Sequence, residues 1–237
     1  EKRSMRVAEH PKVIVVSGID TGIGKTVVTG LLARWFKDNA IEAITMKMAQ
    51  TGCSSMSDDI LEHRKLAGQE LVEEDAMGIT CPYVFPVPCS PHLAARLEGR
   101  SIDPEVIVRA AEQLVKEYSH VLMEGVGGLF VPLNESTMVI DLCAERNWPV
   151  LMVSSPRLGS INHTLAALEA LDRRNISLVG LVYNLDGSRT TDPRIVDDSR
   201  RLFSERLSDF GFKGKICDVP DVSCTESYCV DFSVLFN

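Results

Sequence analysis

At 237 residues, with 45% hydrophobic and 24% charged side chains, the chain can bury one sizeable core, and no composition break marks a linker between two. Its formal net charge of -8 at pH 7 disfavours nucleic acid or an anionic membrane surface as a partner, so an anionic ligand would need a locally positive pocket. Seven cysteines with no C-x-x-C pair fit neither a disulfide framework nor a zinc site and point to a reducing cytoplasm, and no apolar run approaches the roughly 18 residues of a membrane span.

The opening "EKRSMRVAEHPK" lacks the apolar stretch of a secretion signal; residues 1–11 are expected to be a disordered lead or an expression remnant, followed by a single α/β domain over 12–237. The β-branched run "KVIVVSG" (12–18) predicts a buried strand and is followed by "IDTGIGKT" and a helix-period segment over 25–38. The loop ends like a phosphate-binding P-loop, yet five residues rather than four separate Gly18 from Gly24. Strand, glycine loop and helix in this order place backbone N–H groups and a helix N-terminus around a phosphate chain. Gly22 and Gly24 would permit the wrap, Lys25 would reach the terminal phosphates, and the Thr26 hydroxyl would bind Mg2+. A ligand-free turn is the bland alternative.

"EAITMKM" (42–48) reads as the next strand and delivers Lys47, with Thr51 four residues on; a lysine there is costly unless a negative partner waits, or snorkels to solvent. "SSMSDDI" then opens a helix over about 57–68, with Ser57 as N-cap and two acids in the first turn. Of these, Asp58 is read as the metal-side carboxylate and Asp59 as a charge suited to the helix dipole. A helical segment over 104–118 leads to the strand "HVLMEG" (120–125), with Glu124 at its tip and Gly125, Gly127 and Gly128 behind it permitting close backbone approach. Helical periods over 137–147, 160–174 and 193–210 alternate with strands "PVLMVSS" (149–155), "LVGLVYN" (178–184) and "KICDVP" (215–220).

Strand alternating with helix implies a doubly wound, mostly parallel sheet with helices on both faces, of the P-loop NTPase type. Ligands of such sheets bind beyond the carboxyl ends of the strands, where Lys25, Thr26, Lys47, Asp58 and Glu124 all fall. Two lysines to neutralise phosphate, with a hydroxyl and two carboxylates for Mg2+, describe phosphoryl transfer.

Six segments, "GIDTGIGKT", "KMAQTG", "PYVFPVPCSPHLAARLEG", "EGVGGLFVPL", "RLGSINHTL" and "GLVYN", span residues 18–184 and resemble the dethiobiotin synthetases. "SPHLAA" and "LGSINHTL" are the specific ones, since generic P-loop proteins have no reason to carry them. The resemblance implies a homodimer that uses ATP and Mg2+ to close the ureido ring of dethiobiotin from 7,8-diaminononanoate and CO2 or bicarbonate, by way of a carbamate. It implies Lys47, Lys25 and Thr21 as the catalytic set. Gly22, Ile23, Gly24, Lys25, Thr26 and Val27, with Gly125, Val126 and Gly127, would surround the nucleotide phosphates. Thr26, Asp58 and Glu124 match the Mg2+ ligands, and Thr51 the diamine contact. Gly159, Ser160, Ile161 and Asn162 would hold the substrate's carboxylate across a dimer interface. Asn184 matches the adenine-reading amide, and Pro220, Asp221 and Val222 the segment that flanks the base. Ile19 and Met48 depart from the family's "GTDT" and "KP", and Glu226 is a base-side acid without an anchoring motif. Two other readings stay open. A partition-type ATPase would carry a second loop lysine where this chain has Asp20 and Thr21, and a cobyrinate- or cobyrate-type amide ligase would carry a glutaminase nucleophile, for which no cysteine here has the context.

Overall fold

The computed structural model describes residues 11–185, 191–221 and 229–236. The expected lead over 1–10, Val222 and Glu226 lie outside the described residues.

Six of the β-branched runs form one sheet: β1 (Val13–Gly18), β2 (Ala43–Lys47), β5 (His120–Gly128), β6 (Val150–Ser154), β7 (Leu178–Asn184) and β8 (Ile216–Val219), in the order β2-β5-β1-β6-β7-β8. Every neighbouring pair is parallel, so each connection must cross over the sheet, and helices supply the crossovers. Alternate residues of β1 feed two separate apolar cores, Val13 and Val15 into one and Ile14 and Val16 into the other. Both faces are therefore buried, which is why these strands read as unbroken apolar runs. The helices α1 (Lys25–Asp38) and α2 (Asp58–Ala67), with the short α9 (Ser233–Phe236), cover one face. On the other face lie α4 (Pro91–Leu97), α5 (Pro104–Glu117), α6 (Val139–Arg146), α7 (Ser160–Arg173) and α8 (Pro193–Arg206).

Three boundaries differ from the sequence expectation. β5 continues to Gly128 because pairing with β1 resumes at Gly18 and Gly128 after a bulge, so Glu124 is buried within the strand rather than standing at its tip. α8 stops at Arg206 and tightens into a 3-10 helix over Leu207–Phe210, closed by Gly211 in a left-handed conformation. β3 (Gln50–Thr51) ahead of α2, and α3 (Glu73–Ala76) and β4 (Val84–Phe85) between α2 and α5, are elements too short for periodicity to show, with β3 pairing to β4. The pair β3 and β4 and the start of α4 wall the carboxyl end of the main sheet.

Candidate active site

A cleft of ≈ 730 Å3 opens at the carboxyl ends of β1, β2 and β5. Its floor is the loop between β1 and α1. Gly24 has φ +92 and Gly22 φ +68, left-handed values that turn the backbone into the first turn of α1; a side chain at Gly24 would also collide with the Asn184 amide. α1 has no side-chain N-cap, so its N-terminal N–H groups remain available to an anion. Lys25 folds back over the loop, with Nζ donating to the Asp20 carbonyl at 2.9 Å, and burial pushes its pKa down to about 8.

The centre of the site is Glu124, 1% exposed, with both oxygens engaged. Oε1 accepts from Lys47 Nζ at 2.6 Å and from the Thr26 hydroxyl at 3.2 Å; Oε2 lies 2.8 Å from His63 Nε2. Lys47 also pairs with Asp59. The lysine that looked costly at a strand end thus has two negative partners. Burial opposes its charge, yet the Glu124 and Asp59 carboxylates outweigh burial and hold its pKa above the usual lysine value. Burial likewise works against the Glu124 carboxylate, but Lys47 and His63 hold its pKa at about 2.

The choice between adjacent acids is corrected by the structure. Ser57 caps α2, with Oγ accepting from Ile60 N and donating to Gln50 Oε1 at 2.7 Å, which pins the helix start to β3. That phase points Asp59 into the cleft and leaves Asp58 exposed and outside it, about 100° round the helix. Four residues on, His63 lies on the same face as Asp59. His63 was missed in sequence; its signal was the Asp59-x-x-x-His63 spacing, legible only once the buried face of α2 is known.

Of the other expected residues, Thr21, Gly22, Gly24, Lys25, Thr26, Val27, Lys47, Thr51, Glu124, Val126 and Gly127 line the cleft together. Gly127 requires its identity, since φ is +61 and a side chain would run into Val131. Ile23 and Gly125 are set behind this lining. Asn184 is buried, its Nδ2 donating to the Ile23 carbonyl at 3.0 Å, so it braces the loop from the rear. Pro220 and Asp221 lie past β8 and outside the cleft. Gly159, Ser160, Ile161 and Asn162 also lie outside it; Gly159 is the N-cap of α7 and supplies no side chain, so neither Ser160 nor Asn162 caps that helix. Gln50, Cys89 and Ser90 line the cleft without having been singled out.

The donors suit a hard cation: a hydroxyl and two carboxylates, already gathered around an ammonium group. Among the described residues no cluster of three or more His, Cys, Asp or Glu side chains could hold a metal. Mg2+ keeps waters and completes its shell with substrate phosphates, so a hydroxyl and two carboxylates would suffice to hold it.

The family described as AAA domain matches residues 12–208. The ATP-dependent dethiobiotin synthetase BioD of Chlorobaculum tepidum is 51% identical over 201 residues, covering 85% of this chain and 83% of that protein. The BioD 2 enzyme of Haemophilus influenzae is 49% identical over 173 residues, covering 73% and 91%. Among solved structures, a ParA family ATPase from Chlorobium tepidum TLS superposes with TM-score 0.52 at 14% identity, covering 90% of this chain and 85% of that one. The signal recognition particle receptor FtsY of Elizabethkingia anophelis does so with TM-score 0.52 at 16% identity, covering 99% and 64%. At such identities the structural likeness speaks for the P-loop NTPase fold alone. Half the aligned residues shared with enzymes of one named activity is a different order of likeness, and by it the chain belongs to the ATP-dependent dethiobiotin synthetase family.

Proposed function

We propose that the cleft closes the ureido ring of dethiobiotin from the carbamate of 7,8-diaminononanoate at the expense of ATP. The observation that carries the assignment of roles is the convergence of Lys25, Lys47, Thr26 and Thr51 on one cleft whose loop and helix end are built for a phosphate chain. The N–H groups of the loop and of α1, with Lys25, hold the β- and γ-phosphates. A carbamate oxygen attacks the γ-phosphorus in line and ADP departs, leaving a carbamic-phosphoric anhydride. The second amine then attacks the carbonyl carbon, loses its proton, and expels inorganic phosphate as the ring closes.

Lys47, beside the transferring group, stabilises charge that grows in the transition state. Thr51 and Thr21 orient the diamine and carbamate across the loop. Thr26, Asp59 and Glu124 would hold Mg2+, which when bound neutralises phosphate charge. Asn184 and the segment that begins at Pro220 and Asp221 would meet the base. The N-terminus of α7, with Gly159, Ser160, Ile161 and Asn162, would reach the substrate carboxylate of a second copy's cleft in a homodimer. Six free thiols among the described residues favour a cytoplasmic setting.

The test is direct. The protein incubated with diaminononanoate, bicarbonate, Mg2+ and ATP should form the cyclic urea, detected by mass spectrometry, with one ADP and one phosphate released per ring. ATP hydrolysis with no urea would overturn the assignment.

A further inference from the structure

His63 is the buried group at the site for which the phosphoryl-transfer reading has no use. Its ring is 0% exposed, and it reaches Glu124 from α2 across the face of β5. The reach depends on a close helix contact: a side chain at Gly30 of α1 would stand 2.7 Å from Leu66 Cβ and 3.3 Å from His63 Cα, so only glycine lets α2 lie near enough. Nδ1 of the ring is buried without a hydrogen-bond partner among the described residues. Nε2 faces a carboxylate oxygen, which can only accept, so Nε2 carries a proton and donates it.

The consequence concerns the shape of Glu124 as a ligand. A carboxylate offers about four lone-pair directions on two oxygens, and a carboxylate free to rotate could present either oxygen, or both, to a cation. Here the oxygens are divided. Oε2 is held by His63, and Oε1 alone faces Thr26 and Lys47. A histidine that merely filled the core would have no need to donate to a carboxylate that lines the cleft. Partners of this kind, which orient a ligand without touching the ion, typically change metal affinity roughly 10- to 100-fold when removed.

We propose that His63 is a positioning residue: its Nε2–H clamps one oxygen of Glu124 so that the other alone is presented to the cation-binding side of the cleft. The proposal rests on the reading of the cleft as a Mg2+–nucleotide site.

The experiment compares His63→Leu, which keeps bulk and loses the donor, with His63→Gln, whose amide can still donate. Mn2+ binding to the protein–ADP complex is followed by electron paramagnetic resonance, and the Mg2+ dependence of turnover is measured alongside. His63→Leu should weaken Mn2+ binding and raise the half-saturating Mg2+ roughly 10- to 100-fold, with metal-free ADP affinity unchanged; His63→Gln should recover most of the loss. Wild-type Mn2+ affinity in His63→Leu, or equal losses in both variants, would overturn the proposal. Should His63→Leu fail to fold, nitrogen-15 histidine spectra of the wild type decide: the Nε2–H form, shifting on metal addition, is expected, and an Nδ1–H form would refute the clamp. A wild type that binds Mn2+ in this His63-dependent way but makes no cyclic urea would sink the proposed reaction and leave the clamp standing.

Discussion

Lys47 and the acids around it set what single substitutions should do. On the proposed mechanism Lys47 acts on charge that develops during transfer, so Lys47→Ala should lower turnover on the order of 100- to 1000-fold. Nucleotide affinity by calorimetry should stay near wild type, since on the proposed reading Lys25 and the loop hold the phosphates in the ground state. A Lys47→Ala enzyme with wild-type turnover would remove it from the mechanism. The acids of α2 separate in the same assay. Asp59→Asn should impair Mg2+-dependent turnover, because its carboxylate points into the cleft beside Lys47. Asp58→Asn should leave turnover intact and shift stability by no more than about 0.5 kcal/mol, as for an exposed surface change. Equal damage from both would show that α2 rotates when nucleotide binds. The sequence placed two acids at this helix start but held no information on its rotational phase, which the bond between Ser57 and Gln50 fixes from outside the helix.

At the scale of elements, α2 is held in place by a buried ion pair as well as by its cap. Arg64 grips Asp75 with two bonds of 2.9 and 2.8 Å and also donates to Thr45 on β2, so one guanidinium ties α2, α3 and the sheet edge together. Burial opposes the Asp75 charge, but the Arg64 fork, the Val72 N–H and the Thr80 hydroxyl hold its pKa below the usual value. A pKa depressed in the folded state stabilises fully above the unfolded value of about 4 and loses that contribution as pH falls through the folded value. Asp75→Asn should therefore cost about 3–5 kcal/mol at neutral pH by leaving Arg64 buried and unpaired. Denaturant melts at pH 7 and pH 3 check the sign: the gap between wild type and variant should narrow in acid, and a constant gap would mean that the pair carries no charge-dependent stability. At α7 the cap is Gly159, so Asn162→Ala should leave Tm unchanged and raise KM for the diamine severalfold. A lower Tm with unchanged KM would make the side chain structural.

For the whole molecule, the cleft of one chain is incomplete on the reading offered here, because the N-terminus of α7 does not line it. That segment carries a fully exposed Leu158 and a half-exposed Ile161, apolar groups on a surface otherwise rich in ion pairs. Sedimentation equilibrium should return twice the 26.1 kDa chain mass, and Leu158→Asp should shift the protein toward monomer and lose turnover together. A wild-type monomer with full activity would require the carboxylate grip to come from the same chain.

The sequence by itself determined the architecture and the chemistry of the loop. β-branched runs and 3.6-residue periods are local signals, and they located every strand of the main sheet and the six long helices to within a few residues. The family motifs likewise lie within short contiguous stretches, so they could be read without knowing what packs on what. Tertiary structure alone decided that Glu124 lies inside a strand, since the extension of β5 depends on pairing with β1. It also decided that Asp59 rather than Asp58 enters the site, that His63 divides the oxygens of Glu124, and that Asn184 closes on Gly24. Each of these depends on which face of one element meets another distant in sequence, and that contact is settled by packing and long-range hydrogen bonds, for which a residue's immediate neighbours in the chain carry no signal.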